Sequence, residues 1–357
     1  MSAVKPIRIA FIGAGRVADV HLEAMRALGG RAVLTGFAEV RADGRDARSR
    51  EWAVPAYATV EALLRECPCD GVLILLPHDA HRAAVGACLA AGKAVLLEKP
   101  IAGSIEDGAA IAELAGRAGA RLLIGHNGLF HPGFERACQA VRAGWLGRMV
   151  SVRAESAGWL AFRPWDFRLR SAAVGGGTWI DTGSHLLYTL EALVGPLEAM
   201  QCMTGRLARE EMEGEDHALV QMRFAGGAIG QIFAGYGYKR PGYRSDWPQG
   251  YALAFELSGT MGALRYELCP QVRVELFSEH AGAPEGAAAG WVRIDSGEPF
   301  SASFERQLEH FLEVAEGRAA PRITAMDALR MLRLLRCAYT VEAEREARVD
   351  AEGKIIS

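Results

Sequence analysis

The residues best suited to chemistry fall in three short stretches. KAVLLEKPI (93–101) is an apolar run that stops in an acid, a base and a proline. Pro100 keeps Lys99 extended, so its ammonium sits at the carboxyl end of a short buried strand, where open α/β sheets bind ligands. GAGRVA (13–18) is a glycine turn. Gly13 permits the tight bend, Gly15 lets the backbone approach a pyrophosphate, and Ala18 allows a helix to pack closely on a strand, with phosphates at the helix amino terminus. GGGTWIDTGSHLLY (175–188) spaces Asp181, His185 and Tyr188 by four and three residues, one face of a helix beside the apolar stripe Ile180, Leu187, Leu190 and Val194. Three polar groups in a row there suggest a lined cleft. Each stretch also has a plainer reading: a surface lysine after a strand, a glycine turn without a ligand, or an amphipathic helix whose aspartate favours the helix dipole.

The surrounding elements must position these residues. IRIAFI (7–12) reads as a buried strand leading into the glycine turn and a helical pattern through Val17, Val20 and Met25. The run 32–38 ends in Glu39, 24 residues beyond Gly15. An acid there suits the ribose 2′-hydroxyl of NAD and repels the 2′-phosphate of NADP. Arg41 and Arg45 follow closely and either could accept that phosphate, so NAD is expected and NADP stays open. A strand stopped by Pro77, a helix over 81–91, the strand ending at Glu98, a helix over 105–118 and a strand over 121–125 continue the alternation, which means a parallel, doubly wound sheet. His78 and His81 lie just past a strand's carboxyl end, as cofactor-side hydrogen-bonding groups or satisfied structural histidines.

After Asn127 the pattern changes. Segments 149–156, 217–224, 228–236, 251–259 and 272–278 are β-rich and largely alternating, and Gly226-Gly227 separates two of them as a hairpin would. One strong helix interrupts early, after Gly175-Gly176-Gly177, and two close the chain, over 304–316 and 325–345. This predicts an α+β domain on a large, mostly antiparallel open sheet, with domains at 1–126 and 127–357. The total of 357 residues suits two domains. A net charge of −3 gives no reason to expect nucleic acid or an anionic membrane. No apolar run approaches the roughly 20 residues that span a bilayer. The amino terminus enters its first strand at Ile7, leaving no room for a signal peptide. Seven dispersed cysteines point to reduced thiols in a cytoplasmic enzyme, with no disulfide frame or metal site.

The chain resembles the Gfo/Idh/MocA family of nicotinamide-dependent oxidoreductases. The likeness rests on GAGRVA, LPHDAH (76–81), AGKAVLLEKPI (91–101), GHNGLFHP (125–132), GGGTWIDTGSH (175–185) and the run from FERQLEHF onward. The resemblance implies a Rossmann domain followed by the α+β domain, and a catalytic group of Lys99, Asp181 and His185. The cofactor set expected is Gly13, Gly15, Arg16, Val17, Ala18, Glu39, Leu76, Pro77, His78, His81, Glu98, Lys99 and Asn127. The substrate set is Lys99, Trp165, Arg168, Asp181, His185 and Tyr188, around a sugar, sugar derivative or inositol. A homo-oligomer, dimer or tetramer, is expected through the open sheet, because an apolar sheet face must be covered. Leu129 and Tyr188 depart from the family pattern, which often has Arg and Asp there.

Oxidising a secondary alcohol requires loss of its hydroxyl proton. An imidazole, with an ordinary pKa of about 6.5, can accept it at neutral pH, so His185 is assigned as acid/base. Lys99 would stabilise alkoxide charge. Asp181 would bind a substrate hydroxyl or orient His185. Lys99 as the proton acceptor would need a depressed pKa. Specificity is expected from 158–170 and 236–251, rich in aromatics and arginine; Arg163, Arg168 and Arg170 would suit an acidic sugar, whereas a subunit interface would have the same composition. Two other classes compete: a cofactor-binding regulator without turnover, and a redox-neutral enzyme that retains nicotinamide to cleave glycosides.

Overall fold

The computed structural model describes residues 5–117, 119–162, 166–239, 251–269 and 271–344. It forms two compact units, one of 1–132, 173–175 and 299–332, the other of 133–172, 176–298 and 333–357. Two later stretches, 173–175 and 299–332, thus belong to the first unit.

In the first unit, β1 (Ile7–Ile12), α1 (Arg16–Ala27), β2 (Ala32–Ala38), α2 (Ala42–Trp52), β3 (Ala56–Tyr57), α3 (Val60–Glu66), β4 (Gly71–Ile74), α4 (His81–Ala90), β5 (Ala94–Glu98), α5 (Ile105–Ala115) and β6 (Leu122–Gly125) alternate along the chain. The strands make one parallel sheet in the order β3-β2-β1-β4-β5-β6. Strand order reverses between β1 and β4, the place where such sheets hold ligands at their carboxyl ends. Ile9, Phe11, Leu73 and Leu97 are wholly buried, each contributing about 1.5–3 kcal/mol from the apolar surface removed from water. That explains why these strands read as unbroken apolar runs: both faces are covered.

The second unit begins with α6 (Pro132–Arg142), a helix the sequence reading did not anticipate, with β7 (Met149–Gly158) after it. Next come a π-helical turn at Trp179–Gly183, α7 (Ser184–Val194), β8 (Leu197–Gly205), β9 (His217–Phe224), β10 (Ile229–Gly235), β11 (Tyr251–Gly259), β12 (Gly262–Cys269), β13 (Arg273–Ser278) and β14 (Val292–Arg293). These eight strands form one sheet, β14-β13-β12-β11-β7-β10-β9-β8, antiparallel except where β7 meets β10. The hairpin at Gly226-Gly227 joins β9 and β10 as expected. Last come α8 (Ala302–Ala315) and α9 (Ala325–Glu344). Helix α8 packs on α1, β5 and β6, which is why this late segment belongs to the first unit.

The open face of the large sheet is mixed, with Met203 and Ile229 exposed on it beside charged and amide side chains. One cross-strand row runs over all eight strands: Gln201, Gln221, Gln231, Arg153, Glu256, Arg265, Glu275 and Arg293, each directly opposite the next. Within it Arg265 and Glu256 pair at 3.5 Å. Opposite charges in register favour this strand order by a few tenths of a kcal/mol up to about 1 kcal/mol per pair. No helix among the described residues is long and apolar enough to cross a membrane.

Candidate active site and cofactor cradle

In the first unit, Gly13 has φ +98° and a Cβ there would lie 2.6 Å from the Leu75 carbonyl oxygen, so only glycine lets the turn cross the end of β4. At Gly15 a side chain would meet nothing within 4 Å, and the first turn of α1 has no side-chain cap. Within that turn the Ala18 amide donates to the Gly15 carbonyl at 3.1 Å. Glu39, nearly buried at the end of β2, reaches back to the Ala14 amide (3.4 Å) and accepts from the Arg41 amide (3.1 Å) and Nε (3.2 Å). Arg45 donates to the Glu39 carbonyl at 3.2 Å. An uncapped helix start beside a fixed carboxylate fits the pyrophosphate and adenosine ribose of a dinucleotide. Arg16 is exposed, Val17 half-buried and Ala18 buried against the sheet.

At the end of β4, Leu76 is half-buried and Pro77 exposed. His78 is buried with Nδ1 3.0 Å from the Gly175 carbonyl oxygen. His81 is wholly buried, with Nε2 3.0 Å from the Leu76 carbonyl and Nδ1 3.2 Å from that of Ile101. Burial pushes its pKa down against the pull of these carbonyls. Both His81 ring nitrogens thus face backbone carbonyls of the first unit, an arrangement in keeping with the structural one of the two readings. At the ends of β5 and β6, Glu98 pairs across strands with Gly125, so Lys99 and His126 follow side by side. Burial first, and the Lys99 charge second, push the pKa of His126 down to about 3. Asn127 is buried and donates to the Ser303 hydroxyl at 2.9 Å.

In the second unit the predicted helical face is altered by the π turn. A Cβ on Gly183 would lie 2.2 Å from the Trp179 ring, so glycine admits the indole, which is wholly buried and donates to the Leu335 carbonyl at 3.0 Å. The widened turn covers Trp179–Gly183, with Asp181 inside it and His185 in the α-helix that follows, and such bulges occur often at functional sites. Glu215 fixes its start, accepting from the Trp179 amide (2.9 Å) and the Tyr339 hydroxyl (2.8 Å). Asp181 is buried; its Oδ2 accepts from Arg168 Nε at 2.6 Å and from the Tyr236 hydroxyl. Arg168 also reaches Asp166 at 3.1 Å. Burial opposes the charge on Arg168, but Asp181 and Asp166 outweigh it and hold the guanidinium pKa well above its ordinary value. His185 and Tyr188 are half-buried in the first turns of α7. Trp165 and Arg163 lie outside the described residues, as does most of 236–251.

Several participants were not singled out from sequence. His21 on α1 meets Glu98, and Asp166 and Tyr236 meet the Arg168–Asp181 pair. Buried Arg209 donates to the carbonyls of Leu160 (2.8 Å) and Tyr236 (3.2 Å) and lies over the Trp159 and Phe162 rings, so it ties the starts of both aromatic stretches together. A lone arginine in REEMEGED (209–216) carries no spacing signal; only the turn after β8 brings it here.

Comparison with known proteins agrees with this architecture. Residues 7–126 match the model described as "Oxidoreductase family, NAD-binding Rossmann fold", and 134–265 that of the GFO/IDH/MocA C-terminal domain. Myo-inositol 2-dehydrogenase of Thermotoga maritima is 29% identical over 65% of this chain and 70% of its own. The scyllo-inositol 2-dehydrogenase (NAD(+)) of Bacillus subtilis is 24% identical over 90% of each. The match spans only 49% and 64% of two other curated relatives. Among solved structures, GenD2 from gentamicin A biosynthesis in complex with NAD superposes with a TM-score of 0.80 at 25% identity, covering 98% of each chain. The chain belongs to the Gfo/Idh/MocA family of oxidoreductases and carries that family's NAD-binding Rossmann-fold domain.

Proposed function

We propose that this chain is a reversible dehydrogenase that acts on a secondary hydroxyl, or the anomeric carbon, of a neutral sugar, sugar derivative or inositol. The observation that carries the reading is the buried Asp181 carboxylate, fixed by Arg168 and Tyr236 four residues before His185. A carboxylate so engaged is an anchor and not a proton carrier, which leaves the imidazole of His185 as the acid/base. Lys99, as a cation, stabilises the oxygen from which the proton departs. Asp181 holds Arg168 and Tyr236 in place around the substrate. The charge of Arg168 is already met by two carboxylates, which favours a neutral substrate over a uronate.

Gly13, Gly15, Glu39, Glu98 and Asn127 would hold NAD, whose nicotinamide supplies the oxidant when bound. Glu39, with Arg41 folded onto it, favours the free ribose hydroxyls over a 2′-phosphate. The inositol dehydrogenases among the relatives support a polyol substrate. We also propose a homo-oligomer through the charged sheet row, and a cytoplasmic site of action in keeping with six buried free cysteines. Assay of inositols, aldoses and uronates with NAD and with NADP tests the reading: turnover of a neutral polyol with NAD is expected, and turnover confined to uronates or to NADP would overturn it.

A further inference from the structure

A histidine that no motif singled out lies behind the EKP stretch. His21, on α1 beyond the glycine turn, is wholly buried, its ring edge-on to Phe304 at 5.3 Å and 87°. Its Nε2 is 2.8 Å from Glu98 Oε1, and its Nδ1 is buried with no hydrogen-bond partner among the described residues. The other Glu98 oxygen accepts the Lys99 amide at 3.3 Å. An ionised carboxylate only accepts, so Nε2 must carry the proton; a proton on Nδ1 would be a buried N–H without an acceptor and would require a protonated Glu98. The arrangement that leaves no buried N–H unmet has His21 protonated on Nε2 alone, its N–H on one oxygen of an ionised Glu98 and the Lys99 amide on the other.

We infer that His21 is a positioning residue: it fixes the Glu98 carboxylate, and through it the peptide from which Lys99 departs. The glycine-turn helix and the end of β5 are thereby locked by a single hydrogen bond, so α1, which receives the dinucleotide, also sets the reach of the catalytic cation. What Lys99 does rests on the dehydrogenase reading; the His21–Glu98 geometry does not.

The test has two arms. In ligand-free protein carrying ¹⁵N-histidine, with His21→Gln identifying the signal, His21 should show a proton on Nε2 and a bare Nδ1 at neutral pH. A proton on Nδ1, or on both nitrogens, overturns the proposal whether or not any substrate is turned over. In the second arm His21→Phe, which keeps the volume, should lower kcat by about tenfold or more while the alcohol KM moves less than about threefold; His21→Gln, whose amide restores the N–H, should stay within about threefold of wild type. Thermal melting and NADH titration establish that both variants are folded. A folded His21→Gln as impaired as His21→Phe, or a loss confined to KM, contradicts the assignment. If His21→Phe does not fold, the glutamine variant and the ¹⁵N spectrum still decide.

Discussion

Buried ionisable side chains at the strand ends bind this protein's stability to pH. His126 is the clearest case. Its pKa lies near 3 in the folded chain, against about 6.5 when unfolded. Above about pH 6.5 both states are neutral and the contribution is fully present. As pH falls from there toward 3, only the unfolded chain takes up the proton, so stability declines by up to about 1.4 kcal/mol per pH unit. The urea midpoints of wild type and His126→Asn should therefore converge by the equivalent of about 1–2 kcal/mol between pH 7 and pH 5; a constant gap would mean that His126 is solvated. At this scale the sequence was a partial guide. Lys99, Glu39 and the glycines could be read because strand ends and turns mark them. The Arg168–Asp181–Tyr236 contacts could not, since Tyr236 lies 55 residues from its partner and no periodicity links them.

Among the elements, the strands that read correctly were those with two covered faces or a clean alternation, as in β9 and β11. Edge strand β8 escaped because most of its residues are half or fully exposed, and α6 escaped because its Pro-Gly start resembles a loop. The π turn at Trp179–Gly183 is invisible to spacing, since Asp181 and His185 fit an ordinary helix equally well; only the indole pressed on Gly183 explains it. Glu215 ties that turn to α9. Replacing it by alanine strands the Trp179 amide and the Tyr339 hydroxyl, each buried group costing about 1–3 kcal/mol. Glu215→Ala should thus lower unfolding stability by about 2–4 kcal/mol, and Glu215→Gln by clearly less. Equal losses in urea titrations would show that the packing of the side chain matters and not its acceptor oxygens.

For the molecule as a whole, the two-part architecture followed from the switch in hydrophobic period after β6, but the late return of α8 to the first unit did not. Helical spacing shows that a face is apolar, not which sheet it will cover. The row of glutamines and alternating charges on the open face of the large sheet was illegible for a related reason: it is assembled from eight strands one residue at a time. If copies associate through it, Glu256→Arg, which places three arginines in succession from Arg153 to Arg265, should shift the mass measured by light scattering toward the monomer, and more so at low salt. An unchanged mass would place the contact elsewhere. The most direct test of the account is NADH formation from the best polyol by wild type and His185→Ala at neutral pH. The account predicts a fall in kcat of about 10²–10⁴-fold with NADH binding retained. A variant that turns over within about threefold of wild type would contradict it.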